Sequence, residues 1–223
     1  GYKNGKYYCY SDILTSEDGI EWTSVETKEL EEHDFISVAY NGEVIVAIDS
    51  RDYALVSSDG INWQGYKYSD LNFSYSRYEY STKVISDGNI FFIKKYKESF
   101  SNDKMNKLFI SKDGINWKSI DPYKNTVYSN TSNPGYEEII YYNGKFVIWT
   151  SNPNYLLTST NGEDWVIEKI SDPLIKYSHQ ADYRYITTNG NQLFLNLLDE
   201  PYKSYVSYDG INWTVAPYEA EGP

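Results

Sequence analysis

The sequence predicts an all-β chain built from repeated antiparallel meanders, and three observations carry that prediction. One seven-residue pattern, Ser-x-Asp-Gly-x-x-Trp, occurs five times, once with Asn in the Asp position. An Asn-Gly or Asp-Gly pair precedes each occurrence and sits between two apolar or alternating runs. No stretch shows a helical period, while β-branched and aromatic residues fill the short runs.

The five segments are Ser16–Trp22, Ser57–Trp63, Ser111–Trp117, Ser159–Trp165 and Ser207–Trp213. Their tryptophans lie 41, 54, 48 and 48 residues apart (63−22, 117−63, 165−117, 213−165). The leading pairs are Asn4-Gly5, Asn41-Gly42, Asp87-Gly88, Asn143-Gly144 and Asn189-Gly190. Such pairs supply positive φ at low cost, so a two-residue hairpin turn is expected at each. The fourth repeat shows the unit: strand 137–142, Asn-Gly turn, strand 145–150, loop, strand 155–160, second Asn-Gly turn, strand 163–167. Four strands recurring every 40 to 50 residues cannot bury both faces alone, and stacking such units makes a propeller. The expected fold is therefore a five-bladed β-propeller of four-stranded antiparallel meanders. Its blades fall at about 1–26, 34–67, 80–120, 136–170 and 182–217 of a single domain. The first blade has little or no first strand, and closure of the ring is expected because open edges favour aggregation. The chain begins at Gly1 rather than Met and reads as a piece excised from a larger protein.

The Ser-x-Asp-Gly-x-x-Trp segments resemble the Asp-box (BNR-like, sialidase-like) family of β-propellers, in a short variant with one residue fewer between Asp and Gly. The resemblance spans all five repeats and implies the fold. It implies a structural role for Asp18, Asp59, Asp113, Asn161 and Asp209, and for Trp22, Trp63, Trp117, Trp165 and Trp213. The residues agree with that implication. A catalytic group is needed once, whereas these recur in every blade. Asp or Asn can accept backbone N–H bonds, Gly allows the reversal, and Trp fills the gap between blades.

Composition narrows the function. Hydrophobic residues at 40% and charged residues at 23% fit a folded domain and not a disordered one. A net charge of −12 repels phosphate backbones and anionic headgroups, so nucleic acid is not an expected partner. No apolar run is long enough to span a bilayer as a helix, so membrane insertion is not expected. Cys9 stands alone, which excludes an intrachain disulfide and a multi-cysteine metal site. No cofactor or metal is expected, although calcium at the acidic loops is left open.

The two glycine turns of each blade are separated by two strands, so they share one end. The second-to-third loops and the blade-to-blade connections share the other, where the chain is long and irregular. Variable loops on a rigid scaffold carry function, so the binding face is placed there. The candidate ligand-binding residues are Arg51, Tyr75, Arg77, Tyr78, Glu79, Tyr136, Glu137, His179, Asp182, Tyr183 and Arg184. Asp52, Asn152, Asn154 and Tyr202 add to the same loops, and Glu29, Glu31, Glu32, His33 and Asp34 make the first connection acidic. Flat Tyr faces beside fixed polar groups suit sugars or polar peptides. No catalytic residue is assigned. A sialidase would use an arginine triad, a Tyr–Glu pair and an acid/base Asp. Arg51, Arg77 and Arg184 share no register, and no Arg-Ile-Pro-type motif is present. The reading is a non-enzymatic module for a glycan or other polar cell-surface ligand. A protein-interaction scaffold is the alternative, and a sialidase-like glycoside hydrolase stands third. The expected setting is extracellular, on a bacterial cell surface or a phage tail.

Overall fold

The computed structural model describes residues 2–3, 6–9, 14–16, 18–25, 35–49, 52–68, 82–97, 105–124, 136–150, 155–170, 184–197 and 203–216. Every regular element among them is a strand. Sheet 1 holds β1 (Tyr2–Lys3), β2 (Lys6–Cys9), β3 (Leu14–Ser16) and β4 (Thr23–Ser24). Sheet 2 holds β5 (Phe35–Tyr40), β6 (Ile45–Asp49), β7 (Tyr53–Ser57) and β8 (Gln64–Lys67). Sheet 3 holds β9 (Lys83–Ser86), β10 (Phe91–Lys97), β11 (Met105–Ser111) and β12 (Lys118–Ile120). Sheet 4 holds β13 (Tyr136–Tyr142), β14 (Lys145–Thr150), β15 (Tyr155–Ser159) and β16 (Val166–Lys169). Sheet 5 holds β17 (Arg184–Thr188), β18 (Leu193–Leu197), β19 (Lys203–Ser207) and β20 (Thr214–Val215). In each sheet the strands pair in sequence order, all antiparallel, so each is an up-and-down meander. Two compact units divide the chain. Gly1–Asp121 carries sheets 1 to 3 and Pro122–Pro223 carries sheets 4 and 5.

Burial follows strand position. β6 is buried along its whole length, and β14 is buried from Phe146 to Thr150. The fourth strands β4, β8, β12, β16 and β20 are short and largely exposed. Short polar edges resist pairing with other chains, which is how an antiparallel sheet manages its free side. β6 and β14 read as near-continuous apolar runs because both of their faces are covered.

Strand alternation splits the core of the first unit. Val46 and Ile48 of β6 pack with Val84, Phe91, Ile93 and Phe109 of sheet 3. Ile45 and Ala47 point the other way and pack with Phe35, Leu55 and Trp63, against which Val25 lies. A single β-strand thus feeds two sheet interfaces, as a period of two residues requires. In the second unit Val147, Trp149 and Leu156 of sheet 4 meet Ile186, Leu193, Leu195, Tyr205 and Trp213 of sheet 5. Trp149 and Trp213 meet edge to face with ring centroids 5.9 Å apart.

Four of the five repeat tryptophans are buried or half-buried, but Trp22 is 41% exposed. The Gly114 turn of sheet 3 rests on Val46 and Val56 of sheet 2, and the Gly210 turn of sheet 5 lies against Leu156 of sheet 4.

The leading Asn-Gly and Asp-Gly pairs depart from the expected two-residue hairpins in three cases. Only Asn143-Gly144 has positive φ at both positions, 48° and 75°, between directly paired Tyr142 and Lys145. At Asn41, Asp87 and Asn189 only the glycine is positive, and four residues separate the strands. There the Asx oxygen accepts two N–H groups of its own loop. Asn41 takes those of Glu43 and Val44, Asp87 those of Asn89 and Ile90, and Asn189 those of Asn191 and Gln192. A side chain that satisfies two backbone donors stabilises a wider loop than the glycine alone would select. The Asn4-Gly5 pair lies outside the described residues.

These loops also tie neighbouring sheets. Asn41 donates its amide to the Lys112 carbonyl in sheet 3, at 2.9 Å. At the matching position of sheet 4, the Tyr142 hydroxyl lies 2.9 Å from the Tyr208 carbonyl and 2.7 Å from that of Asn191 in sheet 5. Lys112 and Tyr208 both stand between the Ser and the Asp of their repeat. Burial, then the charge of the nearby Asp209 carboxylate, push the Tyr142 phenol above its ordinary range, so it remains a donor.

Candidate functional site

The Ser-x-Asp-Gly turns are closed hydrogen-bond units. In sheet 2 the Asp59 Oδ1 accepts the N–H groups of Ile61 and Asn62, both at 2.8 Å, and the Ser57 hydroxyl at 3.0 Å. Its Oδ2 accepts the Asn62 side-chain amide at 2.7 Å. Ser57 Oγ in turn accepts the Gly60 N–H, and Trp63 Nε1 donates to the Gly60 carbonyl. Asp113 and Asp209 repeat this scheme bond for bond. Asp18 accepts from Ile20, Glu21 and the Ser16 hydroxyl. In the fourth turn the chemistry is exchanged. Asn161 Oδ1 accepts the backbone N–H groups of Glu163 and Asp164, and its amide donates to the Asp164 carboxylate at 2.8 Å. One acid and one amide are kept, in reversed order.

The turns act on their own acids. The Asn62 N–H, the Asn62 amide and the Ile61 N–H hold Asp59 far below the usual carboxylate range. Burial pushes Asp113 upward, but the Asn116 N–H, the Asn116 amide and the Ile115 N–H outweigh it, leaving the carboxyl at about 2. Asp209 is lowered through the same set of bonds against the same burial. The N–H groups of Ile20 and Glu21 lower Asp18. These groups hold a charge at every ordinary pH and have no proton to lend as general acids. The consequence for stability has a definite sign. A carboxyl with a folded pKa below its unfolded value stabilises the fold above the unfolded value, and that contribution vanishes as pH falls through the folded one. The thermal midpoint should therefore be level from neutral pH to about 5, then fall as pH drops through 4 toward 2. A calorimetric pH series checks this; a midpoint that rises on acidification contradicts it.

The other end of the sheets is built differently. Asp49, at the end of β6, accepts the Tyr53 N–H at 2.8 Å. Asp52 sits between them with φ of 71°, a left-handed conformation that Asp tolerates better than most residues. Its carboxylate forms a salt bridge with Lys95 of β10, and both side chains are buried. The Tyr68 hydroxyl donates to the same carboxylate at 3.3 Å, and the Tyr68 N–H donates to the Asp52 carbonyl at 3.0 Å. The Lys95 ammonium lies 5.9 Å from the centre of the Tyr68 ring. Tyr68 itself packs against Phe109 and Trp117. This cluster joins sheets 2 and 3 at the end remote from the glycine turns. Lys95 was not among the candidates, and a signal for it existed. Two lysines, Lys94 and Lys95, follow Phe91-Phe92-Ile93 in a strand whose five residues from 91 to 95 are all buried. A charge placed in a doubly covered strand needs a partner.

Of the candidate ligand-binding residues, Arg51, Tyr75, Arg77, Tyr78, Glu79, His179, Asp182 and Tyr183 lie outside the described residues. Tyr136 and Arg184 open the adjacent first strands β13 and β17 of the second unit. They occupy one register position, since Tyr136 faces Thr150 and Arg184 faces Leu197 at the loop ends of the second strands. Glu137 is the extra residue of a β-bulge between Tyr136 and Glu138. The same irregularity falls between Phe35 and Ser37 in β5. Bulges concentrate at sheet ends where a side chain has to be re-aimed. Among the described residues, no group of three His, Cys, Asp or Glu is placed to hold a metal ion.

Comparison with known proteins shows the class of fold. No protein-family model matches the chain, and no curated protein does. Among solved structures it is similar to YCF48 bound to D1 peptide, with a TM-score of 0.53 and 16% identity over 91% of this chain and 60% of that one. It is also similar to a neuraminidase-like protein from a flat-faced bat isolate of Peru, with a TM-score of 0.50 and 9% identity over 92% and 64% of the two chains. A GH43 protein of Bacillus licheniformis follows at 0.45 and 12% identity. The chain spans less than two thirds of the length of each of these structures. Five four-stranded antiparallel meanders with these likenesses define a five-bladed β-propeller. Folds of this class serve binding proteins and glycoside hydrolases alike.

Proposed function

We propose that this propeller is a non-enzymatic binding module that takes a glycan or another polar cell-surface ligand through the loop face opposite its Ser-x-Asp-Gly turns. The observation that carries the proposal is the contrast between the two ends of the sheets. At the turn end, the Oδ1 of each repeat Asp or Asn is engaged by its own turn, which favours a structural reading of the Asp-box likeness. At the loop end, a buried ion pair and two first-strand bulges shape the scaffold beneath the irregular connections. Tyr136, Glu137 and Arg184 start there, and the remaining candidate residues belong to the same connections in the sequence. A surface of Tyr, Asn, Arg and acids over a fixed base suits sugar hydroxyls and ring faces. An extracellular, cell-surface or virion-tail setting goes with this reading.

A protein-interaction scaffold is the second reading. It is favoured by one observation, the likeness to a propeller whose structure holds a peptide. One experiment separates the readings. The purified chain is screened on a glycan array, assayed for hydrolysis of a fluorogenic sialoside, and screened on a peptide array. Glycan binding without turnover, lost in Arg184→Ala and Tyr136→Ala, supports the proposal. Turnover overturns it in favour of a sialidase-like hydrolase, and peptide binding alone overturns it in favour of the scaffold.

A further inference from the structure

The five-bladed repeat places an Asx-Gly pair at nine described turns, each glycine with positive φ. Asn-Gly is the dipeptide in which a side-chain carboxamide is most open to attack by the next backbone nitrogen, because glycine offers no Cβ to block the approach. Whether the attack occurs depends on what holds the two reacting groups. At Asn41, Oδ1 accepts two N–H groups and the amide donates to the Lys112 carbonyl, and the side chain is buried. At Asn161, Oδ1 accepts two N–H groups, the amide donates to Asp164, and the Gly162 N–H is held by Ser159 Oγ. At Asn189, Oδ1 again accepts two N–H groups and the Gly190 N–H is held by Thr188 Oγ1. The aspartates of the other turns are tied in the same way, and as carboxylates they are poor electrophiles.

Asn143 differs in its hydrogen bonding. It is exposed, and so is Gly144, around whose Cα a Cβ would meet nothing within 4 Å. No hydrogen bond holds the Asn143 carboxamide or the Gly144 N–H among the described residues. Its turn is the two-residue hairpin, the one leading turn among the described residues in which the Asx side chain does not cap the loop. We infer that Asn143 is a site of spontaneous deamidation, selected among the described Asn-Gly pairs by the absence of side-chain capping. The Gly144 nitrogen attacks Cγ of Asn143 and loses its proton. The C–N bond to the side-chain amide breaks and ammonia leaves, closing a succinimide. Water then opens the ring at either carbonyl, giving aspartate or isoaspartate and one added negative charge. Isoaspartate lengthens the main chain by one carbon between β13 and β14. The adjoining residue is Tyr142, whose hydroxyl meets the Asn191 and Tyr208 carbonyls of sheet 5, so that contact between sheets 4 and 5 is the first to feel the change.

The test is ageing of the full chain at mildly alkaline pH, followed by peptide mapping with mass spectrometry and an isoaspartyl-specific methyl-transfer assay. Conversion is expected in the peptide containing Asn143. At Asn41, Asn161 and Asn189 it should be slower by roughly a hundredfold, the factor imposed by breaking about three hydrogen bonds before attack. Asn143→Gly, which a hairpin of this type accepts, should remove that signal and leave the others unchanged. Conversion at any of the other three as fast as at Asn143, or an intact Asn143 after all of them have reacted, overturns the inference.

Discussion

Replacing Lys95 by Met should destabilise the protein by about 3–5 kcal/mol, the cost of removing one partner from a buried ion pair. Met keeps the length and much of the bulk of the lysine stem, so packing between sheets 2 and 3 is largely retained. What is lost is the ammonium that neutralises Asp52, a residue only 4% exposed. The carboxylate still receives the Tyr68 hydroxyl, but a single neutral donor at 3.3 Å does not replace a cation. Domains of this kind have a total stability of roughly 5–15 kcal/mol, so the variant should lie near the limit of folding. A second variant keeps the experiment informative. Lys95→Met combined with Asp52→Asn removes both charges and keeps a side chain that tolerates the left-handed backbone at position 52. It should recover most of the loss, because a buried pair contributes little net energy once both charges are gone. Urea titrations of the three proteins decide the matter. A cost below about 1 kcal/mol for the single variant would mean that water reaches the pair, as it does at the surface.

The second large effect concerns a glycine. A Cβ at Gly114 would stand 2.4 Å from Val46 Cγ2 and 3.2 Å from Val56 Cγ2. Gly144 has nearly the same φ, 75° against 74°, and open space around it. The two positions therefore separate backbone strain from packing. Gly144→Ala should cost about 1–2 kcal/mol, the price of a left-handed residue with a side chain. Gly114→Ala should cost that amount plus about 1–3 kcal/mol, because the sheet 3 turn must back away from sheet 2. Val46→Ala in the Gly114→Ala background should return part of the excess. Equal losses at the two glycines would show that the turn has room to move and that the sheets are less closely seated than the distances indicate.

Much of this architecture is legible in the residues. The strand limits expected for the fourth repeat, 137–142, 145–150, 155–160 and 163–167, agree within about three residues with β13 to β16. The agreement has a local cause. Every bond that closes a Ser-x-Asp-Gly turn joins residues no more than three apart, such as Asp59 with Ile61 and Asn62. Spacing in sequence is then spacing in space. The form of the leading turns was harder to read, since Asn41 and Asn143 each precede a glycine, yet Asn41 caps a four-residue loop and Asn143 sits uncapped in a two-residue hairpin. The difference is set by neighbours, because Asn41 is drawn to the Lys112 carbonyl and the matching role in sheet 4 falls to Tyr142. Among the candidate site residues, Tyr136, Glu137 and Arg184 could be placed at the loop end because strand direction alone decides it. The bulge that makes Glu137 an extra residue leaves no mark in the pattern of residue types.

By itself the sequence determined the number of sheets, the order of strands within them and the chemistry of their turns. All of these rest on periodicity and on contacts inside a few residues. Only the tertiary structure decided which groups meet across sheets: Lys95 with Asp52, Asn41 with Lys112, Tyr142 with Tyr208, and Gly114 with Val46. Those meetings depend on which face of each strand turns toward its neighbour and how far the sheets slide along one another. That is a choice made by packing the apolar faces together, and residue spacing does not encode it.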